Sequence, residues 1–172
     1  DAPVDRLHRA LLDYLGRVSL SALTAEQAEE LMQMVEVAND LEHVADHVAT
    51  DIVTSARKRI DERSNIAPDA IKRIAQYHAQ VARALREAVQ AVVDEDAEAA
   101  TKVRQMKREV SDVAHQISRE RFRTMPHGAG ASMGGYVREV ELLEILDGVF
   151  KIARRIARSQ IGDRAVRVDE AD

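Results

Sequence analysis

The breakers of regular structure are absent from most of this chain, and that constrains its fold more than any other feature. Its prolines are Pro3, Pro68 and Pro126, and four of its seven glycines fall between Gly128 and Gly135. From Arg17 to Ala67, and again from Asp69 to Met125, neither residue occurs. Stretches of that length, rich in Ala, Glu, Arg, Leu and Gln, read as long helices. Aromatic residues make up 3% of the chain, too few, with so few turn residues, for a sandwich or barrel. There is no cysteine, which excludes a disulfide framework, a zinc–thiolate centre and a thiol nucleophile. The net charge is −5, against the basic surface that nucleic acid requires.

The helix boundaries follow from local chemistry. A first, shorter helix is expected over about Val4 to Leu20. Thr24, with Gln27 three residues on, forms a capping box that opens a second helix running to about Arg63. Pro68 suits a first helical turn and Asp69 its positive end, which opens a third helix reaching about Val93. The acidic turn Asp94-Glu95-Asp96 starts a fourth, ending near Thr124. The Gly-rich stretch Pro126 to Gly135 reads as a connector. It lacks the Gly-Lys-Ser/Thr ending of a phosphate-binding loop and has no preceding strand. A fifth helix follows over about Tyr136 to Gln160.

Apolar stripes predict how these helices pack. On the second helix Leu31, Met34, Ala38, Leu41, Ala45, Val48 and Ile52 recur by three and four, the pattern of a bundle seam. On the fifth, Leu142, Leu146, Val149, Ala153 and Ile156 do the same. Short loops between such helices predict antiparallel neighbours, hence an all-α, extended antiparallel bundle. Leu41 to Asp46 aligns with Leu146 to Lys151 at an offset of 105 residues, and Val4 to Leu20 resembles Val110 to Met125. The chain therefore reads as a duplicated helical unit. Residues 1–65 form a partial first repeat, 66–165 a second with three helices, and 166–172 a tail. The first repeat lacks its leading helix. Its uncovered stripes predict self-association.

The residues with chemical promise lie on the second helix. If the seam faces the core, Glu42 and Asp46 sit one turn apart on an apolar flank and call for a compensating cation. An arginine of a neighbouring helix meets that need, and so does a metal ion such as iron, zinc or magnesium. Glu36 and Asp40 are further acidic candidates, pointing outward with His43 and His47, an i, i+4 pair. His8, His78, His115 and His127 are scattered without a partner pattern. In the second repeat the equivalent flank holds Asp147 and Lys151, an acid–base pair in the favourable helical order, so that copy reads as metal-free. Lys151, Arg154, Arg155, Arg158, Arg164 and Arg167 form a basic run suited to a helix C-terminus or to anionic lipid. No Ser–His–acid arrangement in a strand–turn–helix setting supports catalysis.

Ala38-Asn39-Asp40-Leu41-Glu42-His43-Val44-Ala45-Asp46-His47 resembles the signature of PhoU-like proteins, the phosphate-uptake regulators. Asp147-Gly148-Val149-Phe150-Lys151 with Arg155-Ile156-Ala157 resembles a second copy. The likeness spans about Val4 to Gln160 and is strongest to the C-terminal cytoplasmic domain of bacterial sodium/phosphate cotransporter family proteins. It implies tandem three-helix units and a non-catalytic regulatory role in phosphate transport. It implies a position at the cytoplasmic face of the inner membrane, with the membrane-embedded part of the same transporter as partner. Some members bind iron or zinc through an acidic pair, which corresponds to Glu42 and Asp46 here. In the second copy it corresponds to Asp147 and Lys151, and the preceding helix carries Lys107 where an acid is expected. A chain beginning at Asp1 rather than methionine fits a segment of a longer, membrane-bound protein. A free-standing phosphate-signalling regulator and a purely structural dimerisation bundle are the alternatives.

Overall fold

The computed structural model describes residues 2–124 and 133–160, with the backbone alone at 118 and 120–124. The helices are α1 (Ala2–Val18), α2 (Ala25–Asp46), α3 (Val53–Asp61), α4 (Pro68–Val93), α5 (Ala97–Thr124) and α6 (Met133–Ser159). A π-helical segment, His47–Ile52, joins α2 to α3 without a turn. The expected second helix is therefore one rod interrupted by widened turns. Most of the Gly-rich stretch, Arg164, Arg167 and the tail lie outside the described residues.

The ends are set by the residues expected to set them. Thr24 accepts from Gln27 N at 3.2 Å, and the Gln27 side chain accepts from Thr24 N at 3.0 Å, which completes the capping box. Pro68 occupies the first turn of α4, where a missing N–H costs nothing. Asp96 opens α5 by accepting from the amides of Glu98 at 2.8 Å and Ala99 at 3.0 Å. Arg63 and Glu95 hold φ of 50° and 54°, and each reverses the chain just after a helix. Helix α6 begins at Met133, three residues before the expected start.

The core lies between α4, α5 and α6. Tyr77, Val81, Ala84, Ala88 and Ala91 of α4 pack against Val103, Met106, Val110 and Ile117 of α5 and against Leu146, Val149, Phe150, Ala153 and Ile156 of α6. Alanine along the α4 seam lets the three helices approach closely, while branched and aromatic side chains on α5 and α6 fill the space between them. The fifth-helix stripe is thus the core stripe, apart from Leu142, which is half-buried. Gly135 is required where α6 meets the loop before α4, since a Cβ there would lie 1.9 Å from the Asn65 carbonyl oxygen.

Helices α1 and α2 form an antiparallel hairpin that joins this bundle along α6. Here the expected seam is displaced. Ala38 is buried, but Met34 is 56%, Leu41 38% and Val48 53% exposed, whereas Asp40, expected to point outward, is 4% exposed. The face of α2 that meets the bundle carries Val37, Asp40 and Val44 instead. The pattern was right about a stripe but not about which stripe is covered. A charged residue can take a contact position when the facing helix brings the opposite charge.

Candidate functional site

The two signature-bearing helices cross antiparallel, and their contacts run in reverse order. Asp40 pairs with Arg155, His47 lies over Gly148, and Ser55 Oγ donates to Glu141 at 3.0 Å. Those three contacts run over residues 40–55 of the α2–π–α3 rod and 141–155 of α6.

At the first contact the guanidinium of Arg155 grips the carboxylate of Asp40. Its Nε donates to both oxygens at 2.8 Å, and Nη2 also donates to Oδ1. The carboxylate is buried and the guanidinium is 56% exposed, so the pair sits at the rim of the joint. The hydrogen bond with Asp40 holds the Arg155 guanidinium above its usual range, helped by the charges of Asp40 and Glu36. Of the two cations considered for the acidic helix, the structure supplies the arginine for Asp40.

Two turns on, the absence of a side chain at Gly148 admits the His47 ring. A Cβ at Gly148 would stand 3.1 Å from His47 Nε2. His47 Nδ1 is bonded to Asp51 Oδ2 at 2.7 Å, across the π segment. His47 was expected to point outward, yet it packs on α6, while its companion His43 remains exposed with Nε2 3.9 Å from Glu42. His47 follows Asp40 by seven residues, two helical turns, and so shares the face that Asp40 turns to α6, whereas His43 lies to one side of it. Together His43, Asp46, His47, Thr50 and Asp51 line an open pocket of about 320 Å³.

The four candidate ligands do not converge. Asp40 is bound by Arg155, Glu36 and Asp46 are exposed, and Glu42 is half-buried beside His43. Among the described residues, no group of three or more His, Asp and Glu side chains is placed to hold a metal ion. Among the described residues the donor set therefore does not fit an iron, zinc or magnesium centre.

In the second copy Lys151 Nζ stands 2.8 Å from Asp147 Oδ2, the acid–base pair expected from the spacing. That contact raises the Lys151 ammonium above its ordinary range, first through the hydrogen bond and then through charge. Asp147 has another partner that the sequence did not announce. Tyr77, buried in α4, hydrogen-bonds to it. Burial pushes the Tyr77 phenol up to about 12, with the charge and hydrogen bond of Asp147 adding to the effect.

A polar cluster also closes the far end of the joint. Arg138 Nη1 donates to Glu141 Oε2 at 2.6 Å, the same oxygen that accepts from Ser55, and Arg138 Nε lies 3.6 Å from Glu62. Beside it, Arg73 Nη2 stands 3.7 Å from the buried Glu139. Arg138 and Glu141 stand three apart on α6, but Ser55, Glu62 and Arg73 come from distant parts of the chain, and no local spacing links them to that pair. The contradiction of an Arg-Glu dipeptide within an otherwise apolar face of α6 was the available signal.

The model of the PhoU domain family matches residues 74–171, more than half of the chain. No curated protein and no solved structure matches it at significance. The match falls on the unit built of α4, α5 and α6 and leaves α1, α2 and α3 outside it. A three-helix unit of α4, α5 and α6 is thus found where the family's sequence pattern is found, and the chain belongs to the PhoU domain family.

Proposed function

We propose that this chain is a non-catalytic regulatory domain acting in phosphate transport and homeostasis. In this reading it serves a sodium-dependent phosphate cotransporter family protein, at the cytoplasmic face of the inner membrane. Its partner is the membrane-embedded part of the same transporter. The family match over α4 to α6 carries the proposal. The joint between α2 and α6 is held by polar pairs at both ends, and Arg155 is the residue through which it is perturbed. No described helix is long and apolar enough to cross a membrane, so the proposed partner lies outside these residues.

The test is phosphate uptake in cells carrying the intact gene or the same gene with Arg155→Glu. The proposal expects sodium-dependent phosphate uptake to change while the amount of protein does not. Unchanged sodium-dependent uptake with altered expression of phosphate-responsive genes would favour a free-standing regulator. No change in either would overturn a role in phosphate homeostasis.

A further inference from the structure

The end of α3 gathers cations that the fold does not pair. Residues 53–67 hold four basic side chains, Arg57, Lys58, Arg59 and Arg63, against two acidic ones, Asp61 and Glu62, in a chain of net charge −5. Lys58 and Glu62 turn toward α6. The Lys58 ammonium stands 4.0 Å from Glu141, and Glu62 lies 3.6 Å from Arg138 Nε and accepts from Ser64 Oγ. Ala56, Arg59, Ile60 and Arg63, spaced by three and four, face another way. With Ser64 and Asn65 they line an open pocket of about 490 Å³. Among the described residues no carboxylate lines it. Asp61 does not reach it, and Asp69, at the start of α4, is 3.5 Å from Lys72. Among the same residues neither the Arg59 nor the Arg63 guanidinium has a hydrogen bond or a carboxylate within 4.0 Å.

A second groove shows the contrast. Arg83 and Lys102 line it between α4 and α5, but Glu87 stands 2.8 Å from the first and Glu98 3.4 Å from the second, and Glu109 lines the same groove. The negative end of α3 favours cations in its last turn, Lys58 and Arg59. It does not call for an arginine at position 63, which follows the helix with a φ of 50°, where glycine is the usual residue. Arg63 N donates to the Ile60 carbonyl at 3.1 Å and Ser64 N to that of Arg59 at 3.0 Å. These bonds close the end of α3 and hold both arginines at one pocket.

We propose that this pocket binds a phosphate group carried on a small organic residue. Each guanidinium offers a planar fork of N–H donors that matches phosphate oxygens, and the Asn65 carboxamide adds a further donor. Arg59 and Arg63, four residues apart, repel one another until an anion joins them. The rest of the wall is apolar, from Ala56 and Ile60, and suits the organic part of the ligand. Ile60 stands at the rim, 74% exposed. A soluble phosphate ester and the headgroup of an anionic phospholipid share this chemistry. Because the pocket is open and its charges are hydrated, a single soluble ester binds with Kd on the order of 1 mM. This inference does not rest on the proposed function.

Titration with glycerol 3-phosphate, followed by the NMR signals of the arginine Nε–H groups and the Asn65 side-chain amide, tests it. The expected result is a saturable shift at Arg59, Arg63 and Asn65, with binding weakened by added salt. Arg63→Gly keeps the chain reversal, because glycine suits that φ, and removes one guanidinium. It weakens binding at least fivefold with helicity by circular dichroism unchanged, and adding Arg59→Gln abolishes binding. Flotation with phosphatidylglycerol vesicles, against phosphatidylcholine vesicles, separates the two sources. Retention on the anionic vesicles that is lost in the double variant and reduced by Ile60→Ser assigns the pocket to lipid headgroups. Ester binding without retention assigns it to a soluble ester. No saturable shift up to about 20 mM ester together with no retention on anionic vesicles overturns the proposal. So does binding of either kind that Arg63→Gly and Arg59→Gln leave unchanged.

Discussion

Helices α2 and α6 carry apolar residues at the same three- and four-residue spacing, yet the structure buries them differently. Leu146 in α6 and Leu41 in α2 hold similar places in those stripes, but the first is 5% and the second 38% exposed. The difference is a helix. In the second unit α4 lies across α5 and α6 and closes the core with tyrosine, valine and alanine; the described residues place no such helix over α1 and α2. Burial of an amphipathic stripe is thus a property of what faces it, not of the stripe.

The sharpest way to test that contrast is one substitution at both places. Leu146→Ala removes a side chain surrounded by core and leaves a cavity, at a cost of about 3 kcal/mol. Leu41→Ala, measured at low micromolar concentration, costs less than about 1 kcal/mol, because much of that side chain is already solvated. Urea denaturation of the two variants against the parent checks this. Equal losses would show that the first unit is as closed as the second.

The legible part of the fold was its local part. The capping box at Thr24, proline at the start of α4, the acidic turn before α5 and the α6 stripe each depend on residues within a turn or two, and each stands where expected. The all-α class followed from where glycine and proline are not. The misreading of α2 has a different cause. A period of three and four marked Met34, Leu41 and Val48 as inward, but it also left room for a face holding Asp40. Only Arg155, 115 residues later, makes that face the better contact. The arginine reading of the acidic helix anticipated the kind of partner but not its identity. His47 shares the face of Asp40 two turns on, so it turns inward for the same reason. Tyr77 on Asp147 was invisible, since nothing in the α4 pattern distinguishes a core tyrosine with an acid in reach from one without.

Tyr77 offers the next largest effect, one confined to the closed unit. Its folded-state pKa is raised to about 12, above the ordinary value of about 10. The folded protein therefore holds the phenolic proton more tightly than the unfolded chain does. The resulting stabilisation is complete below pH ~10 and is lost as pH rises through ~12, by about 2–3 kcal/mol. Tyr77→Phe lacks this ionisation. At neutral pH it is less stable by about 1 kcal/mol through the lost bond to Asp147. The gap between variant and parent should close, then reverse, between pH 10 and 12 in paired denaturation curves. Parallel curves would mean that Tyr77 is not sealed between α4, α5 and α6.

The joint itself comes next, because it ties the open half to the closed one. Arg155→Ala leaves the Asp40 carboxylate buried without its partner. A fully buried pair would cost more, but the exposed guanidinium is screened by water, which brings the expected loss to about 2 kcal/mol. A double-mutant cycle with Asp40→Ala isolates the pair, and a coupling near zero would remove it as the link between the units. Hydrogen exchange locates the damage. Protection should fall in α1 and α2 while the α4–α6 core keeps its own.

The smallest effects are at two helical glycines and test the contrast at the scale of a methyl group. Gly16 lies in α1 with nothing within 4 Å of where a Cβ would stand. Gly16→Ala therefore receives only the helical preference of alanine and should stabilise the protein by about 0.5–1 kcal/mol. Gly148 lies mid-helix in α6, where the same preference is at least as strong, but a Cβ there meets His47 Nε2 at 3.1 Å. The ring must retreat by a few tenths of an ångström, and it is tethered by the 2.7 Å bond to Asp51. The backbone gain and the displaced ring should nearly cancel, so that Gly148→Ala falls within about 0.5 kcal/mol of the parent. His47→Ala in the Gly148→Ala background releases the obstruction, and the alanine at 148 should then show the gain seen at Gly16. If alanine at 148 stabilises equally with or without the His47 ring, the two signature helices are not in contact there, and the order of contacts along their crossing would have to be redrawn.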